Sequence, residues 1–226
     1  MGIKENLAKI RKGIERSAKK SGRKPEEIVL VGISKTFGLD RVKEAIAHGL
    51  TDVGENRVQE AEEKFLCLSN VRKHLVGHLQ SNKVKKAVEI FDMIQTVDSV
   101  KIARKISERS LDSGKVMPVL VEVLTDEKKQ FGIRPNELEG FLREISEFKG
   151  IRVLGLMTIG PYFENPEDSR PVFRQMKSLF DSLRNKIPNI DMRYLSMGMT
   201  NDFETAIEEG ANMVRVGRGI FGEREI

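Results

Sequence analysis

Short apolar segments alternate with amphipathic segments along the whole chain, and this alternation restricts the possible folds more than any other feature. Apolar segments that predict buried parallel strands occupy residues 28–33, 52–54, 74–79, 93–97, 116–124, 151–157, 192–195 and 213–216. Helical spacing follows the first seven of them, at residues 39–48, from about 57, 83–91, 100–109, 135–148, 166–185 and 202–209. Eight such units in 226 residues favour a closed parallel barrel.

The predicted fold class is therefore α/β, a single (β/α)8 TIM-type barrel that spans residues 1–226 as one domain. An additional N-terminal helix is predicted over residues 3–18. Because the eighth strand is followed by no helix or by a very short one, we expect the N-terminal helix to cover that side of the barrel. An open doubly wound sheet is the alternative, but the first strand is not followed by G-x-G-x-x-G.

Composition narrows the classes of protein to which the chain can belong. The 39 Lys and Arg residues exceed the 34 Asp and Glu residues, but they are spread along the predicted helices, so no nucleic-acid partner is expected. No apolar segment approaches the ~20 residues that cross a bilayer, and no signal peptide is found, so we expect a cytoplasmic protein. The single cysteine, Cys67, is interpreted as a helix packing residue, and no metal-ligand spacing occurs.

Polar and glycine residues collect directly after the predicted strands. In a barrel these positions meet at one end, where active sites lie. They are Lys35, Asn56, His78, Asp98, Glu122, Thr158, residues 196–200 and residues 215–219. The last two segments contain glycine turns of the kind that bind phosphate through backbone amides, although such turns also occur as simple connections.

Lys35 and Arg215 suggest which ligand such a site would hold. A desolvated lysine amine attacks carbonyl carbons, and a Schiff-base lysine opposite a phosphate site is what pyridoxal phosphate requires; a solvated lysine at the rim is the alternative for Lys35. Arg215 interrupts an apolar strand, so it either faces a ligand or forms a buried ion pair, for instance with Glu204 or Glu122. Beside a pyridine nitrogen an arginine makes the ring a weaker electron sink than an aspartate would.

Six segments resemble the pyridoxal phosphate homeostasis proteins, and the resemblance extends from about residue 28 to the C-terminus. The segments are residues 31–36 (VGISKT), 53–60 (VGENRVQE), 74–83 (HLVGHLQSNK), 155–158 (GLMT), 195–202 (LSMGMTND) and 214–222 (VRVGRGIFG). The fold that this implies is the one-domain barrel similar to the N-terminal domain of alanine racemase.

The resemblance also implies roles for individual residues. Lys35 corresponds to the Schiff-base lysine, Asn56 to a residue beside the ring, and Arg215 to the arginine at the pyridine nitrogen. The implied phosphate end consists of Ser196, Met197, Thr200, Gly217 and Arg218. Arg218 stands where some members carry a threonine or serine, so one hydroxyl contact to the phosphate is lost here.

The function that the resemblance implies is binding and buffering of pyridoxal phosphate, with apo-enzymes that need this cofactor as recipients and with no established catalytic residue. An amino-acid racemase is the enzymatic alternative. Against it, no second β domain follows before Ile226, and for the same reason a monomer is expected. His78 is the pocket residue that could supply a second acid or base. A barrel that binds a phosphorylated sugar or nucleotide without a covalent bond is the third hypothesis.

Overall fold

A computed structural model describes residues 2–223 of the chain. Within these residues eight parallel strands close into a barrel in sequence order, and β1 pairs with both β2 and β8. The strands are β1 (Val29–Ile33), β2 (Asp52–Glu55), β3 (Arg72–Leu75), β4 (Met93–Val97), β5 (Met117–Glu122), β6 (Ile151–Met157), β7 (Ile190–Ser196) and β8 (Met213–Val216). The predicted (β/α)8 barrel is therefore confirmed.

The helices lie outside the barrel, and all but the first and the last of them connect successive strands. They are α1 (Ile3–Lys20), α2 (Leu39–Ala47), α3 (Val58–Phe65), α4 (Val84–Ile90), α5 (Val100–Asp112), α6 (Leu138–Ile145), α7 (Arg170–Leu183), α8 (Phe203–Glu208) and α9 (Arg218–Phe221). Short 3-10 turns at Pro25–Glu27 and Pro166–Ser169 precede β1 and α7.

The N-terminal helix α1 completes the outer layer, as expected from the sequence. Its buried side chains Ile3, Leu7, Ile10 and Ile14 recur at helical spacing and form one apolar stripe. The helix packs against α8 and α9, and α9 is only four residues long. The stripe therefore covers the side of the barrel that a full eighth helix would otherwise cover.

Two apolar layers stabilise the barrel. A large cluster fills the space between the strands and the helices. A smaller cluster, which includes Val31, Met93, Leu120 and Met213, lies inside the barrel. Since strand side chains alternate between the two faces, the positions two residues from these also point into the barrel. Gln95, Glu122 and Arg215 are such positions, and this alternation directs polar side chains toward the interior and the mouth.

Two predictions from the sequence need correction. The third strand was predicted over residues 74–79 but ends at Leu75. A Cβ atom on Gly77 would lie 2.3 Å from the carbonyl oxygen of Asn56, so the chain crosses the neighbouring loop there and leaves the ladder. Cys67 was interpreted as a packing residue, but its side chain is exposed because α3 ends at Phe65.

Candidate functional site

A cavity of about 690 Å³ opens at the carboxyl ends of the strands. Six of the residues predicted for the site line it: Lys35, Asn56, Thr200, Arg215, Gly217 and Arg218. The other lining residues were not assigned a role at the site from the sequence, and they are Ile33, Val76, Ile159, Tyr162, Phe163, Met199, Asn201, Asp202 and Glu223. Strand ends that are far apart in the sequence thus bring an amine, a guanidinium and a hydroxyl to one cavity.

Lys35 is presented by a turn that a buried ion pair holds in place. Glu55 is fully buried, and its carboxylate accepts hydrogen bonds from Ser34 Oγ and from Lys64 Nζ, both at 2.7 Å. The same Lys64 amine donates to the backbone carbonyl of Ser34 at 3.0 Å. The backbone enters the left-handed region immediately afterwards, at Thr36 with φ of 70°. The Glu55–Lys64 pair therefore fixes the chain on which Lys35 stands.

Arg215 is a buried cation at the floor of the cavity. Nη1 donates to Ser196 Oγ at 2.7 Å, and Nη2 donates to the carbonyl oxygen of Thr158 at 2.6 Å. Burial lowers the pKa of Arg215 to about 10, against the opposing charges of Glu122 and Asp202, so the guanidinium stays charged at neutral pH. Of the ion-pair partners considered from the sequence, Glu204 lies elsewhere, since it binds Arg16. Glu122 interacts with Arg215 through its charge.

The strand ends after β7 and β8 are joined at Thr200. Its hydroxyl Oγ1 accepts a hydrogen bond of 3.3 Å from the backbone N–H of Gly219. A Cβ atom on Gly219 would lie 3.1 Å from Thr200 Cγ2 and 2.9 Å from Val216 Cγ1, so glycine permits this close approach. Gly217 begins the α9 turn at the cavity wall, while Arg218 is exposed at its rim. The two predicted phosphate-suited segments therefore meet at a hydroxyl and a backbone turn.

Two predicted phosphate-site residues do not line the cavity. Ser196 is fully buried, and its hydroxyl accepts from Arg215 and donates to Gln95 Oε1 at 2.7 Å. Met197 is fully buried in the apolar layer outside the strands. The nearby Met199 and Thr200 reach the cavity instead. The hydroxyl on this side of the cavity is therefore that of Thr200.

A second group of titratable side chains lies at the barrel mouth, at the end of β5 and in the segments that follow β3, β4 and β5. His78 Nδ1 lies 2.9 Å from Asp98 Oδ2, and the Phe131 ring stacks on the imidazole with centroids 3.6 Å apart. Burial raises the pKa of the Glu122 carboxyl, and the charge of Asp98 adds to the rise, while nearby cations oppose it. Burial lowers the pKa of Lys129, whose amine donates to the carbonyl oxygen of Ile159. His78 itself is absent from the residues that line the cavity.

Comparison with known proteins gives the family. The model of the alanine racemase N-terminal domain matches residues 5–225. A pyridoxal phosphate homeostasis protein of Aquifex aeolicus is 39% identical over 228 residues, which cover 100% of both chains. One of Escherichia coli is 36% identical over 229 residues, covering 99% of this chain and 97% of the relative. The chain belongs to the pyridoxal phosphate homeostasis protein family.

Solved structures agree with this family. PipY of Synechococcus elongatus is 33% identical to this chain, with a TM-score of 0.86. The match covers 97% of this chain and 100% of PipY, and this structure of PipY has pyridoxal phosphate bound. A Clostridium difficile alanine racemase has a TM-score of 0.74 at 17% identity, and the match covers 98% of this chain and 56% of the racemase. The racemase likeness concerns the barrel fold alone. Among residues 2–223 no helix is long and apolar enough to cross a membrane.

Proposed function

We propose that the chain binds pyridoxal phosphate in this cavity as a Schiff base on Lys35 and acts as an intracellular carrier or buffer of the cofactor. The observation that carries the proposal is the meeting of Lys35, Arg215 and Thr200 at one cavity of suitable size. Relatives over the full chain are named for pyridoxal phosphate homeostasis, and PipY was solved with that ligand, which supports the same assignment.

The residues fit the chemical groups of this cofactor. The Lys35 amine can condense with the aldehyde, forming the C=N bond and releasing one water. Arg215 and Asn56 line the cavity, where the guanidinium would face the ring nitrogen and Asn56 would lie beside the ring. The Thr200 hydroxyl and the backbone turn at Gly217, which line the same cavity, would hold the phosphate. When bound, the cofactor supplies an electrophilic carbon and an aromatic ring that withdraws electrons.

Arg215 favours a carrier over an efficient enzyme. A guanidinium that remains charged at neutral pH cannot accept a proton from the ring nitrogen and disfavours a proton on it. The ring is then a weak electron sink, so reactions that need a stabilised carbanion gain little. Tyr162 and Arg218 at the cavity rim are exposed, which leaves a route for the cofactor to leave.

Absorbance of the loaded protein tests the binding part of the proposal. Lys35→Ala should remove the violet absorbance of the Schiff base and the adduct fixed by borohydride. Lys129→Ala, at a half-buried lysine of the same mouth, is the matched control and should retain both. An adduct that persists in Lys35→Ala refutes the assignment of the lysine, and a colourless wild-type protein favours the phosphorylated-sugar binder.

Transfer of the cofactor tests the carrier part. Mixing the loaded protein with the apo-form of a pyridoxal phosphate enzyme should restore that enzyme's activity. The rate should exceed the rate from the same concentration of cofactor released into buffer. Equal rates would reduce the role to passive storage of the cofactor.

An amino-acid racemase is the second candidate, and the position of Tyr162 at the cavity favours it. A racemase needs an acid or base on each face of the substrate carbon, and Lys35 and Tyr162 would be that pair. Turnover of a common amino acid above about 1 s⁻¹, within the ordinary enzyme range, that is lost in Tyr162→Phe would establish this function. The carrier proposal expects little racemisation in either protein.

A further inference from the structure

A line of hydrogen-bonded side chains passes through the barrel interior, from its N-terminal end to the cavity. Arg215 Nη1 contacts Ser196 Oγ at 2.7 Å, and Ser196 Oγ contacts Gln95 Oε1 at 2.7 Å. Gln95 Nε2 lies 3.0 Å from His74 Nδ1, and His74 Nε2 lies 2.9 Å from Asp52 Oδ1. We call these five residues the interior chain: Asp52, His74, Gln95, Ser196 and Arg215.

Burial makes each link of the interior chain costly to break. Four members are at most 1% exposed and Arg215 is 4% exposed, so water cannot readily replace a lost partner. At the N-terminal end, Asp52 also accepts hydrogen bonds from Thr51 Oγ1 and from Arg72. The interior chain therefore begins at a carboxylate that is fixed from several sides.

While His74 is neutral, the donors and acceptors along the interior chain run in only one direction. Because Asp52 accepts, His74 Nε2 carries a hydrogen and a neutral His74 leaves Nδ1 as an acceptor. Gln95 must then direct its amide nitrogen at His74, and the same nitrogen lies 3.2 Å from Met213 Sδ. Its carbonyl oxygen therefore accepts from Ser196, and Ser196 accepts from Arg215.

We propose that His74 and Gln95 are positioning residues for Arg215, and that the interior chain holds the guanidinium at the cavity only while His74 is neutral. This role rests on the proposed binding of pyridoxal phosphate, whose ring nitrogen Arg215 would face. Protonation of His74 places a hydrogen on Nδ1, opposite the Gln95 amide hydrogens. The amide must then rotate, and the Ser196 hydroxyl loses its acceptor beside Arg215.

The surroundings of His74 contain few other groups that could produce this pH dependence. Asp52 on β2 contacts His74, and Arg72 on β3 contacts the same carboxylate. Tyr194 on β7 interacts with Arg72. Gln95 on β4, which contacts His74, and Met213 on β8, which contacts Gln95, do not titrate. Histidine is also the side chain that ordinarily changes charge near neutral pH.

A nuclear magnetic resonance experiment on the cofactor-free protein tests the interior chain by itself. At neutral pH the ring nitrogens of His74 should show the neutral form with hydrogen on Nε2. The side-chain N–H signals of Arg215 should shift with the same midpoint as His74 on acidification. The proposal would be overturned if His74 carried its hydrogen on Nδ1 at neutral pH. It would also be overturned if the Arg215 signals did not shift when His74 is protonated. This result does not depend on whether the cofactor binds.

The affinity for pyridoxal phosphate, measured against pH, then shows whether His74 and Gln95 position Arg215 or only pack in the barrel interior. Wild-type affinity should fall about tenfold as His74 protonates, the effect of one lost buried hydrogen bond. Gln95→Met fills the same volume without polar groups, so it should bind about tenfold more weakly at neutral pH and lose this pH step. In Gln95→Glu the carboxylate can accept from Ser196 and from a protonated His74, so its affinity should fall with rising pH instead.

The sign of the pH dependence is the decisive observation. Titrations of the cofactor itself are shared by all three proteins and cancel when the variants are compared with wild type. A reversed slope in Gln95→Glu supports positioning through His74, whereas identical pH profiles in all three proteins overturn it. If no protein binds pyridoxal phosphate, the proposed function fails, and the resonance experiment still decides whether the interior chain responds to His74.

Discussion

Replacing Thr200 by valine should weaken binding of the phosphate without affecting the rest of the cofactor. Valine keeps the shape of threonine but lacks Oγ1, which lies at the cavity and accepts from the Gly219 N–H at 3.3 Å. A hydrogen bond to a charged group contributes ~1.5–3 kcal/mol, which corresponds to roughly ten- to a hundredfold in affinity. The loss should appear for pyridoxal phosphate and not for pyridoxal.

The assay is the ratio of the two dissociation constants, pyridoxal over pyridoxal phosphate, measured for each variant by absorbance titration. Thr200→Val should lower this ratio roughly ten- to a hundredfold. Thr200→Ser keeps the hydroxyl and is the matched control, with a ratio near that of wild type. We expect Ser196→Ala to weaken both ligands equally, because the Ser196 hydroxyl accepts a hydrogen bond from Arg215 and would act on both ligands through the guanidinium.

The outcome that would refute this reasoning is specific. If Ser196→Ala lowers the ratio and Thr200→Val does not, the phosphate lies against Ser196, as the resemblance alone implied. The side chain of Ser196 would then have to leave Gln95 and Arg215 when the cofactor binds. If neither variant changes the ratio, backbone amides alone hold the phosphate.

Two further predictions concern buried carboxylates. Glu55→Gln should destabilise the protein by about 3–5 kcal/mol in denaturant unfolding, because the Lys64 amine, only 13% exposed, loses its charged partner. Adding Lys64→Met should recover much of this loss. A cost below about 1 kcal/mol for Glu55→Gln alone would contradict a buried ion pair. Glu122 has a pKa raised by burial and by Asp98, so its protonated form favours the folded state. Stability from this group is present below its unfolded pKa of about 4.5 and is lost as pH rises through the folded pKa. Glu122→Gln should therefore remove that decline, and an unchanged pH profile would argue against the raised pKa.

The barrel could be predicted from the sequence because its signal is repeated along the chain. Each strand is a short apolar run, and each is followed by a turn and, in most cases, by a helical stripe, so an error in one unit does not change the fold. Strand ends were predicted less well, because they depend on contacts between segments. The end of β3 is decided by the approach of Gly77 to the Asn56 backbone, which no local pattern reveals.

The cavity could be predicted in outline for a topological reason. Parallel strands in a barrel bring their carboxyl ends together, so Lys35, Asn56, Thr200 and Arg215 line one cavity although they are distant in sequence. Ser196 was placed one residue beyond a strand predicted to end at residue 195. The strand β7 includes Ser196, so its side chain points into the barrel below the mouth. A one-residue difference at a strand end thus changes the direction of a side chain, and the role of Ser196 at the phosphate, which the resemblance implied, stays a prediction.

The interior chain could not be predicted from the sequence, because the local sequence shows each member only as a polar residue in or beside an apolar strand. Asp52, His74 and Gln95 lie on three consecutive strands, and their contacts depend on the register between those strands. The signal that the sequence did contain is the alternation of strand side chains, which puts all three residues on the same face. Each of these side chains occupies an inward position, and a buried polar side chain needs a hydrogen-bond partner on a neighbouring strand.

Arg215 shows why such a chain is retained. Within residues 2–223 its hydrogen bonds go to a hydroxyl and a backbone carbonyl, while Glu122 and Asp202 act on it only through their charges. A buried cation without a hydrogen-bonded carboxylate costs stability, and an apolar side chain in this strand would avoid that cost. Neutral partners can fix where the guanidinium lies without neutralising it. The charge therefore stays available to the cavity, which is the arrangement that a ring nitrogen with a lone pair requires from its partner.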